Sequence, residues 1–157
     1  MKIFVMRHGE AQLVAESDKQ RALTLVGQQQ ATAAATWLQA QYLLDKPVDL
    51  ALVSPYIRTQ QTFAQVNKVI DCAVTETSQD ITPSGVVTCA HDYLSTLLEI
   101  KPSIEHVLVV SHMPFVSYFV DALCNTEHTP LFATGAIAVI DYDRHSHTGQ
   151  ILTHYQG

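Results

Sequence analysis

Ile3-Phe4-Val5-Met6-Arg7-His8-Gly9 is the stretch of this chain that says most about its fold. Its four apolar residues predict a buried strand, and Arg7, His8 and Gly9 then follow where that strand ends. An imidazole can accept a phosphoryl group from a dianion if the incoming negative charge is neutralised, and a neighbouring guanidinium supplies permanently charged donors for this. The tripeptide therefore indicates a phosphate-handling site, with a solvated loop as the alternative.

Further strand-like runs follow along the chain, separated by helical patterns. Val107-Leu108-Val109-Val110 is apolar at every position, which is typical of a central strand covered by helices on both faces of a parallel sheet. We therefore predict one α/β domain over residues 1–157, with three layers and a mostly parallel sheet that has an antiparallel edge strand. The predicted strands are Lys2–Met6, Leu50–Val53, His106–Val110, Ala136–Tyr142 and Gln150–Tyr155, the last two forming an edge hairpin, with a short edge strand at Ala73–Thr75.

Capping residues mark the starts of three predicted helices. Thr24, Ser54 and Ser84 can each accept a hydrogen bond from a first-turn amide, and Pro55 suits the first helical position after Ser54. The predicted helices run from Leu25 to about Leu43, from Pro55 to about Val69, from Gly85 to Ile100, and from Met113-Pro114 to about Cys124.

Composition narrows the class of protein. A chain of 157 residues with 47% hydrophobic content can build one sizeable core. Nine Lys and Arg against fifteen Asp and Glu give a formal charge of -6, so we expect neither a nucleic acid nor an anionic membrane as partner. No signal peptide is evident, and no apolar run approaches the roughly 20 residues of a membrane span. We therefore expect a cytoplasmic protein.

The cysteines and histidines do not predict a metal site. Cys72, Cys89 and Cys124 are odd in number and widely spaced, which indicates buried free thiols rather than disulfides or zinc ligands. His145-Ser146-His147, with His154 across the hairpin, is the one metal-like group, but it sits in a turn remote from the other motifs. We expect no metal and no cofactor.

Basic and imidazole side chains follow three predicted parallel strands. His8, Arg58 and His112 come after the first, second and third long strands, and open α/β sheets bind ligands at this edge. A cation in the first turn of a helix opposes the helix dipole, so Arg58 is either a tolerated surface charge or is aimed at an anion. Arg21, in a polar loop, joins the site only if the fold brings that loop back over His8.

Three ordered segments resemble the signatures of the histidine phosphatase superfamily, also called phosphoglycerate mutase-like. They are Met6-Arg7-His8-Gly9-Glu10, the run from Ser54 to Thr62, and Val110-Ser111-His112-Met113-Pro114. The short length and the segment from Ser17 to Thr24, with Gly27 after it, resemble the compact SixA-type phosphohistidine phosphatase branch. The resemblance extends from Met1 to about Tyr142 and implies the phosphoglycerate mutase-like fold.

The resemblance also implies a role for each matching residue. His8 would be the nucleophile that is transiently phosphorylated, and Arg7, Arg58 and His112 would grip the phosphoryl oxygens. Arg21 and Gly9 would be further phosphate-binding residues. These roles agree with the chemistry, because phosphoryl transfer depends on positioning and on cations aimed at the equatorial oxygens. The sequence does not indicate which nitrogen of His8 attacks.

One difference between this sequence and the larger members of that superfamily restricts the class of substrate that we expect. Relatives that hydrolyse phosphate esters carry a helical insertion and a glutamate that protonates the leaving alkoxide, and neither is evident here. Imidazole leaves more readily than an alkoxide and needs little from a dedicated acid. The possible acids are Glu10, Asp18 and Asp80, with Glu76 also near in sequence.

We therefore expect a phosphohistidine phosphatase. Its partner would be a phosphohistidine-carrying domain of a phosphorelay or phosphotransferase system, and the enzyme would act as a monomer. Two alternatives stay open at this point: a phosphatase of small phosphate esters that uses one of the carboxylates as its acid, and a non-catalytic module that binds phosphohistidine.

Overall fold

The computed structural model describes residues 1–127 and 131–157. In this part of the chain six strands form one sheet, and four α-helices cover it. The strands are β1 (Lys2–Arg7), β2 (Val48–Val53), β3 (Cys72–Thr77), β4 (His106–Ser111), β5 (Ile137–Asp143) and β6 (Thr148–Tyr155), and the helices are α1 (Leu25–Leu38), α2 (Ile57–Val66), α3 (Val87–Ile100) and α4 (Phe115–Cys124).

The sheet has the order β3-β2-β4-β1-β5-β6. The first four strands of this order are parallel, while β5 runs antiparallel to β1 and β6 runs antiparallel to β5. The predicted edge hairpin of a mostly parallel sheet is therefore confirmed. The strand whose direction opposes all the others is β5, which lies one position inside the edge. At the opposite edge, β3 is longer than the predicted Ala73–Thr75.

Apolar residues of β1 alternate between two hydrophobic cores, one on each face of the sheet. Ile3 and Val5 pack in the core that contains α3 and α4, while Phe4 and Met6 pack in the core that contains α1 and α2. Successive side chains of a strand point to opposite faces, so a strand covered on both sides must be apolar throughout. This is the physical reason for the uninterrupted apolar runs, and the predicted three-layer fold is confirmed.

Of the three predicted helix caps, one is confirmed and two are wrong. Thr24 Oγ1 accepts a hydrogen bond from the Gly27 amide at 3.0 Å. In contrast, α2 begins after Tyr56 and α3 begins after Val86, neither with a side-chain cap. Ser54 does not cap α2, because the helix begins only at Ile57 and the Ser54 hydroxyl lies 2.7 Å from His112 Nε2 instead.

The helices otherwise follow the predictions closely. A π-helical turn, Gln39–Leu43, extends α1 to its predicted end, whereas α2 stops at Val66, before the predicted Val69. None of the described helices combines the length and the apolar content needed to cross a membrane.

The three cysteines are free but not all buried. Cys124 is buried and Cys72 is partly buried, and burial raises the pKa of each thiol to about 11. Cys89 is exposed on α3, so the prediction of a buried thiol is wrong at this position. The reason is that the apolar face of α3 is formed by Ala90, Leu94 and Leu98, and residue 89 lies outside that stripe.

Candidate active site

His8 lies where β1 ends, with only 7% of its surface exposed. Its Nδ1 lies 2.7 Å from the carbonyl oxygen of Gly9, and Arg58 Nε–H donates to its Nε2 at 3.2 Å. A carbonyl oxygen can only accept, so Nδ1 carries the proton and Nε2 presents its lone pair. Nε2 is therefore the unprotonated nitrogen of the His8 ring in this structure.

The surroundings of His8 keep its imidazole neutral. Burial lowers its pKa to about 4, and the positive charges of Arg58, Arg7 and Arg21 act in the same direction against the raising effect of the Gly9 carbonyl. At pH 7 Nε2 therefore carries an unprotonated lone pair, which accepts the hydrogen bond from Arg58.

Arg58 is a buried cation that faces His8, which resolves the two interpretations of its helical position. It is 3% exposed, in the first turn of α2. Its Nη1 donates to Asp18 O at 2.6 Å and its Nη2 to Asp18 Oδ2 at 3.1 Å. Its guanidinium carbon also lies 4.9 Å from the centre of the Tyr56 ring. These contacts hold the guanidinium against the His8 ring.

Asp18 joins Arg58 to Arg21. Its Oδ1 accepts from Arg21 Nη1 at 3.1 Å, while Arg21 Nε donates to Gln12 O at 2.6 Å. The polar loop is thereby brought back over the site, as the prediction for Arg21 required. Burial raises the pKa of Asp18, but the hydrogen bonds from Arg21 and Arg58 outweigh it and hold the pKa below its usual value. An ionised carboxylate between two guanidiniums is poorly suited to donate a proton.

His112, at the end of β4, lies beside His8. The two rings meet edge to face with their centres 5.2 Å apart. His112 Nε2 lies 2.7 Å from Ser54 Oγ, and burial, followed by the influence of His8 and Arg58, lowers its pKa to about 2. Sequence reasoning missed this role of Ser54 because a serine before Pro55 suggests a helix cap. Its position directly after an apolar strand was the available signal.

Arg7 reaches across to a distant part of the chain. Its Nη1 donates to Phe132 O at 2.7 Å, and no described residue bonds to its Nε. Burial, and then the charge of Arg58, lower its pKa. The sequence contains no signal for Phe132, because the contact is made by a backbone carbonyl.

Gly9 and Gly27 pack backbone against backbone. A Cβ at Gly9 would lie 2.3 Å from Gly27 O, and a Cβ at Gly27 would lie 2.0 Å from Glu10 O. The amide of Gly9 donates to Thr62 Oγ1 at 3.1 Å. The two glycines therefore let the start of α1 lie directly against the loop that carries His8.

The other carboxylates near the site have separate surroundings. Glu10 Oε1 accepts from Thr24 Oγ1 at 2.7 Å, and Glu76 is paired with Tyr93 on α3. Asp80 is exposed in a 3₁₀ turn, Gln79–Ile81, which a hydrogen bond of 2.6 Å from Ser111 Oγ to Ile81 O holds against the end of β4. None of the three makes a described contact with His8.

The histidines of the last hairpin are not brought together. The register pairs Ala138 with His154 and Asp143 with Thr148, so His154 lies at the far end of the hairpin from His145 and His147. Among the residues that the structure describes, no group of three His, Cys, Asp or Glu side chains is placed to hold a metal ion.

Comparisons with family models, curated proteins and solved structures all match this chain to histidine phosphatases. A family model described as the histidine phosphatase superfamily (branch 1) matches residues 3–80. The phosphohistidine phosphatase SixA homolog of Haemophilus influenzae is 38% identical, over 98% of this chain and 94% of that protein. Phosphohistidine phosphatase SixA of Escherichia coli is 38% identical, over 91% of this chain and 86% of that protein. A solved structure of the protein histidine phosphatase SixA complexed with tungstate has a TM-score of 0.91 at 36% identity, covering 99% of this chain and 97% of the other.

Proposed function

This chain belongs to the histidine phosphatase superfamily, and we propose on that basis that it is a phosphohistidine phosphatase whose nucleophile is His8. The observation that carries the proposal is the state of His8 Nε2. It is unprotonated, it sits on a ring held neutral by burial, and it touches the guanidinium of Arg58. A dianionic phosphoryl group is attracted to this point, and its oxygens can take over the Arg58 Nε–H donor, which frees the lone pair of His8 Nε2 to attack the phosphorus.

In the first step, the lone pair of His8 Nε2 attacks the phosphorus of a substrate phosphohistidine. A new N–P bond forms as the substrate's N–P bond breaks, and the electron pair of the broken bond stays on the substrate imidazole, which takes up a proton from solvent water. Arg58 and Arg7 face the charge that spreads over the equatorial oxygens, with His112 beside them. One N–P bond replaces another, so the step is close to balanced in energy.

In the second step, water attacks the phosphorus of phospho-His8. An O–P bond forms, one proton of the water passes to solvent, and the bond between Nε2 and phosphorus breaks. Nε2 regains its lone pair and inorganic phosphate leaves. The bond from Nδ1 to Gly9 O holds the ring in the same orientation through both steps. The cycle therefore returns the enzyme to its starting protonation state.

The carboxylates around the site favour imidazole over alkoxide as the leaving group. Asp18 is held ionised between Arg21 and Arg58, and Glu76 is paired with Tyr93. Glu10 is bonded to Thr24. An ester phosphatase needs a protonated acid beside the leaving oxygen, whereas imidazole can take its proton more easily. We accordingly propose a phosphohistidine-carrying domain of a phosphorelay or phosphotransferase system as the partner.

The SixA relatives support the proposal in a second way. Their names specify phosphohistidine as the substrate group, and the related solved structure holds tungstate, an oxyanion that resembles phosphate. The basic cluster of Arg7, Arg21 and Arg58 around His8 would bind an oxyanion in the same way.

A comparison of two variants tests the proposal. The wild-type protein should release inorganic phosphate from a phosphohistidine-bearing domain, and His8→Ala should release none above background. His145→Ala serves as the control, because residue 145 is exposed in the distant hairpin turn. Trapping acid-labile phosphate on the wild type but not on His8→Ala would identify the intermediate. Unchanged release by His8→Ala, or faster turnover of phosphosugars than of phosphohistidine, would overturn the proposal.

A further inference from the structure

The orientation of Arg7 depends on a segment far away in sequence. Its Nη1 bonds to the carbonyl of Phe132 at 2.7 Å, and its Nε has no partner among the described residues. Among the described residues, the Phe132 carbonyl is the one hydrogen-bond partner of the Arg7 guanidinium, so the position of this carbonyl controls the position of the guanidinium. The position of the 131–133 segment therefore decides where Arg7 points.

Gln156 holds that segment on both sides of Phe132. Its Oε1 accepts from the Ala133 amide at 2.9 Å, and its Nε2 donates to Leu131 O at 3.0 Å. An amide N–H can only donate and a carbonyl can only accept, so these two partners define which way the Gln156 side chain is turned. One side chain thus bonds to the peptide group that carries the Phe132 carbonyl, through the Ala133 N–H, and to the preceding peptide group, through Leu131 O.

The amide of Gln156 is itself anchored on β6. Its Nε2 also lies 3.1 Å from His154 Nδ1, and the His154 ring packs against Phe132 with ring centres 4.4 Å apart. Since Nε2 is the donating end of the amide, His154 Nδ1 accepts. The segment is therefore tied to β6 by hydrogen bonds through Gln156 and by ring packing through His154.

From these contacts we infer that Gln156 is a positioning residue for Arg7, acting through the Phe132 carbonyl. The inference rests on the proposed function in one respect, namely that Arg7 grips the phosphoryl group. Gln156 does not touch His8. Its loss should loosen the 131–133 segment, misdirect the Arg7 guanidinium and weaken the binding of an oxyanion, while leaving His8, Arg58 and Asp18 in place.

The test measures oxyanion affinity, which needs no turnover. Tungstate and inorganic phosphate are titrated into the wild type, Gln156→Ala and Gln156→Glu. Gln150→Ala is the matched control, because residue 150 is an exposed glutamine on β6, the strand that Gln156 directly follows. Gln156→Glu keeps the size and the acceptor but removes both donated hydrogen bonds. We expect both Gln156 variants to bind the oxyanions about tenfold more weakly, and the control to match the wild type.

A double-mutant cycle separates positioning from a merely structural role. In an Arg7→Ala background, Gln156→Ala should cause no further loss of oxyanion affinity, because the side chain that it positions is already gone. Equal losses with and without Arg7, or unchanged affinity in Gln156→Glu while that protein is folded, would overturn the inference. If the wild type binds tungstate but does not hydrolyse phosphohistidine, the proposed function fails and the cycle still decides the role of Gln156.

Discussion

Arg58 Nε lies 3.2 Å from His8 Nε2, so the cation that follows β2 touches the lone pair of the imidazole that follows β1. One contact sets three properties of the site. It orients the lone pair, it helps to keep the ring unprotonated, and it places positive charge where phosphoryl oxygens would arrive. The predictions below vary this contact and the residues that support it.

The first prediction concerns the pH at which His8 gains a proton. Its pKa is lowered to about 4, so the nucleophile should stay neutral from pH 7 down to about pH 5 and lose its lone pair to protonation near pH 4. Arg58→Gln removes a charge that lowers this pKa, so the titration should move to higher pH. Nitrogen NMR of the His8 ring measures both titrations without substrate. A wild-type midpoint near 6.5 would contradict the prediction.

The second prediction separates a positioning role of Asp18 from that of a general acid. Asp18→Asn keeps the shape of the side chain but removes the charge that holds Arg21 and Arg58. We expect kcat/KM for a phosphohistidine substrate to fall about tenfold, as for the loss of one charged hydrogen bond. Glu10→Gln and Asp80→Asn should stay within about twofold of wild type.

Steady-state kinetics on these variants also tests the alternative that a carboxylate acts as the general acid. If Asp80→Asn or Glu10→Gln abolished phosphate release, that carboxylate would be acting as an acid, and the preference for an imidazole leaving group would lose its physical basis. If Asp18→Asn changed nothing, the bridge between the two arginines would be of no consequence for the reaction.

The third prediction concerns Ser54, which is fully buried beside His112. Ser54→Ala leaves His112 Nε2 without its partner, so the free energy of unfolding should fall by about 1–3 kcal/mol and kcat should fall with it. Ser84→Ala should change stability by less than about 0.5 kcal/mol, since that serine caps no helix. Urea unfolding measures the free energy of unfolding of both variants. Equal losses of stability would show that the contact between Ser54 and His112 contributes no more than an exposed serine does.

The fourth prediction sets helix propensity against packing at Gly27. Replacing glycine by alanine inside a helix usually stabilises a protein by about 0.5–1 kcal/mol. In α1, however, the new Cβ would lie 2.0 Å from Glu10 O, and a backbone atom cannot move aside cheaply. Gly27→Ala should therefore destabilise the fold, by about 1–3 kcal/mol, and slow phosphate release. Thermal denaturation measures the effect, and Gln28→Ala is the control because residue 28 is exposed at the next position of the helix. A stabilised Gly27→Ala protein would contradict the close backbone packing.

The fifth prediction concerns the surface around the site, which a protein substrate, as proposed, would contact. A histidine side chain is short, so a phosphohistidine that reaches buried His8 must bring its carrier's surface against the rim of the site. Leu13 and Val14 are 89% and 85% exposed on that rim and share a cavity with Asp18 and Arg21. Replacing both by serine should lower kcat/KM for a phosphorylated domain at least about fivefold, with no change for free phosphohistidine.

Leu44→Ser and Leu152→Ser are controls for this comparison, since both residues are exposed but lie away from the site. A loss on both substrates would mean that the rim residues support the site itself. Equal rates of the double variant and the wild type on the phosphorylated domain would exclude these two side chains from its recognition.

The strands, the layers and the order of the candidate site residues could all be predicted from the amino-acid sequence. Strands covered on both faces must be apolar at consecutive positions, and polar side chains directly after parallel strands share one edge of the sheet. That local rule was enough to nominate His8, Arg58 and His112. The capping rule, in contrast, failed at Ser54 and Ser84, which are residue types that often cap helices but cap none here.

Only the tertiary structure decided how those residues act on one another. The tautomer of His8 follows from contacts with Gly9 and Arg58, the charge of Asp18 from two arginines, and the placement of Arg7 from Phe132 and Gln156. The Arg7 contact joins residues 125 positions apart in the chain. Local patterns determine which segments form strands, but the neighbours of a side chain depend on which strands lie side by side. Here β1 lies between β4 and β5, and that order brings together groups that no sequence spacing could pair.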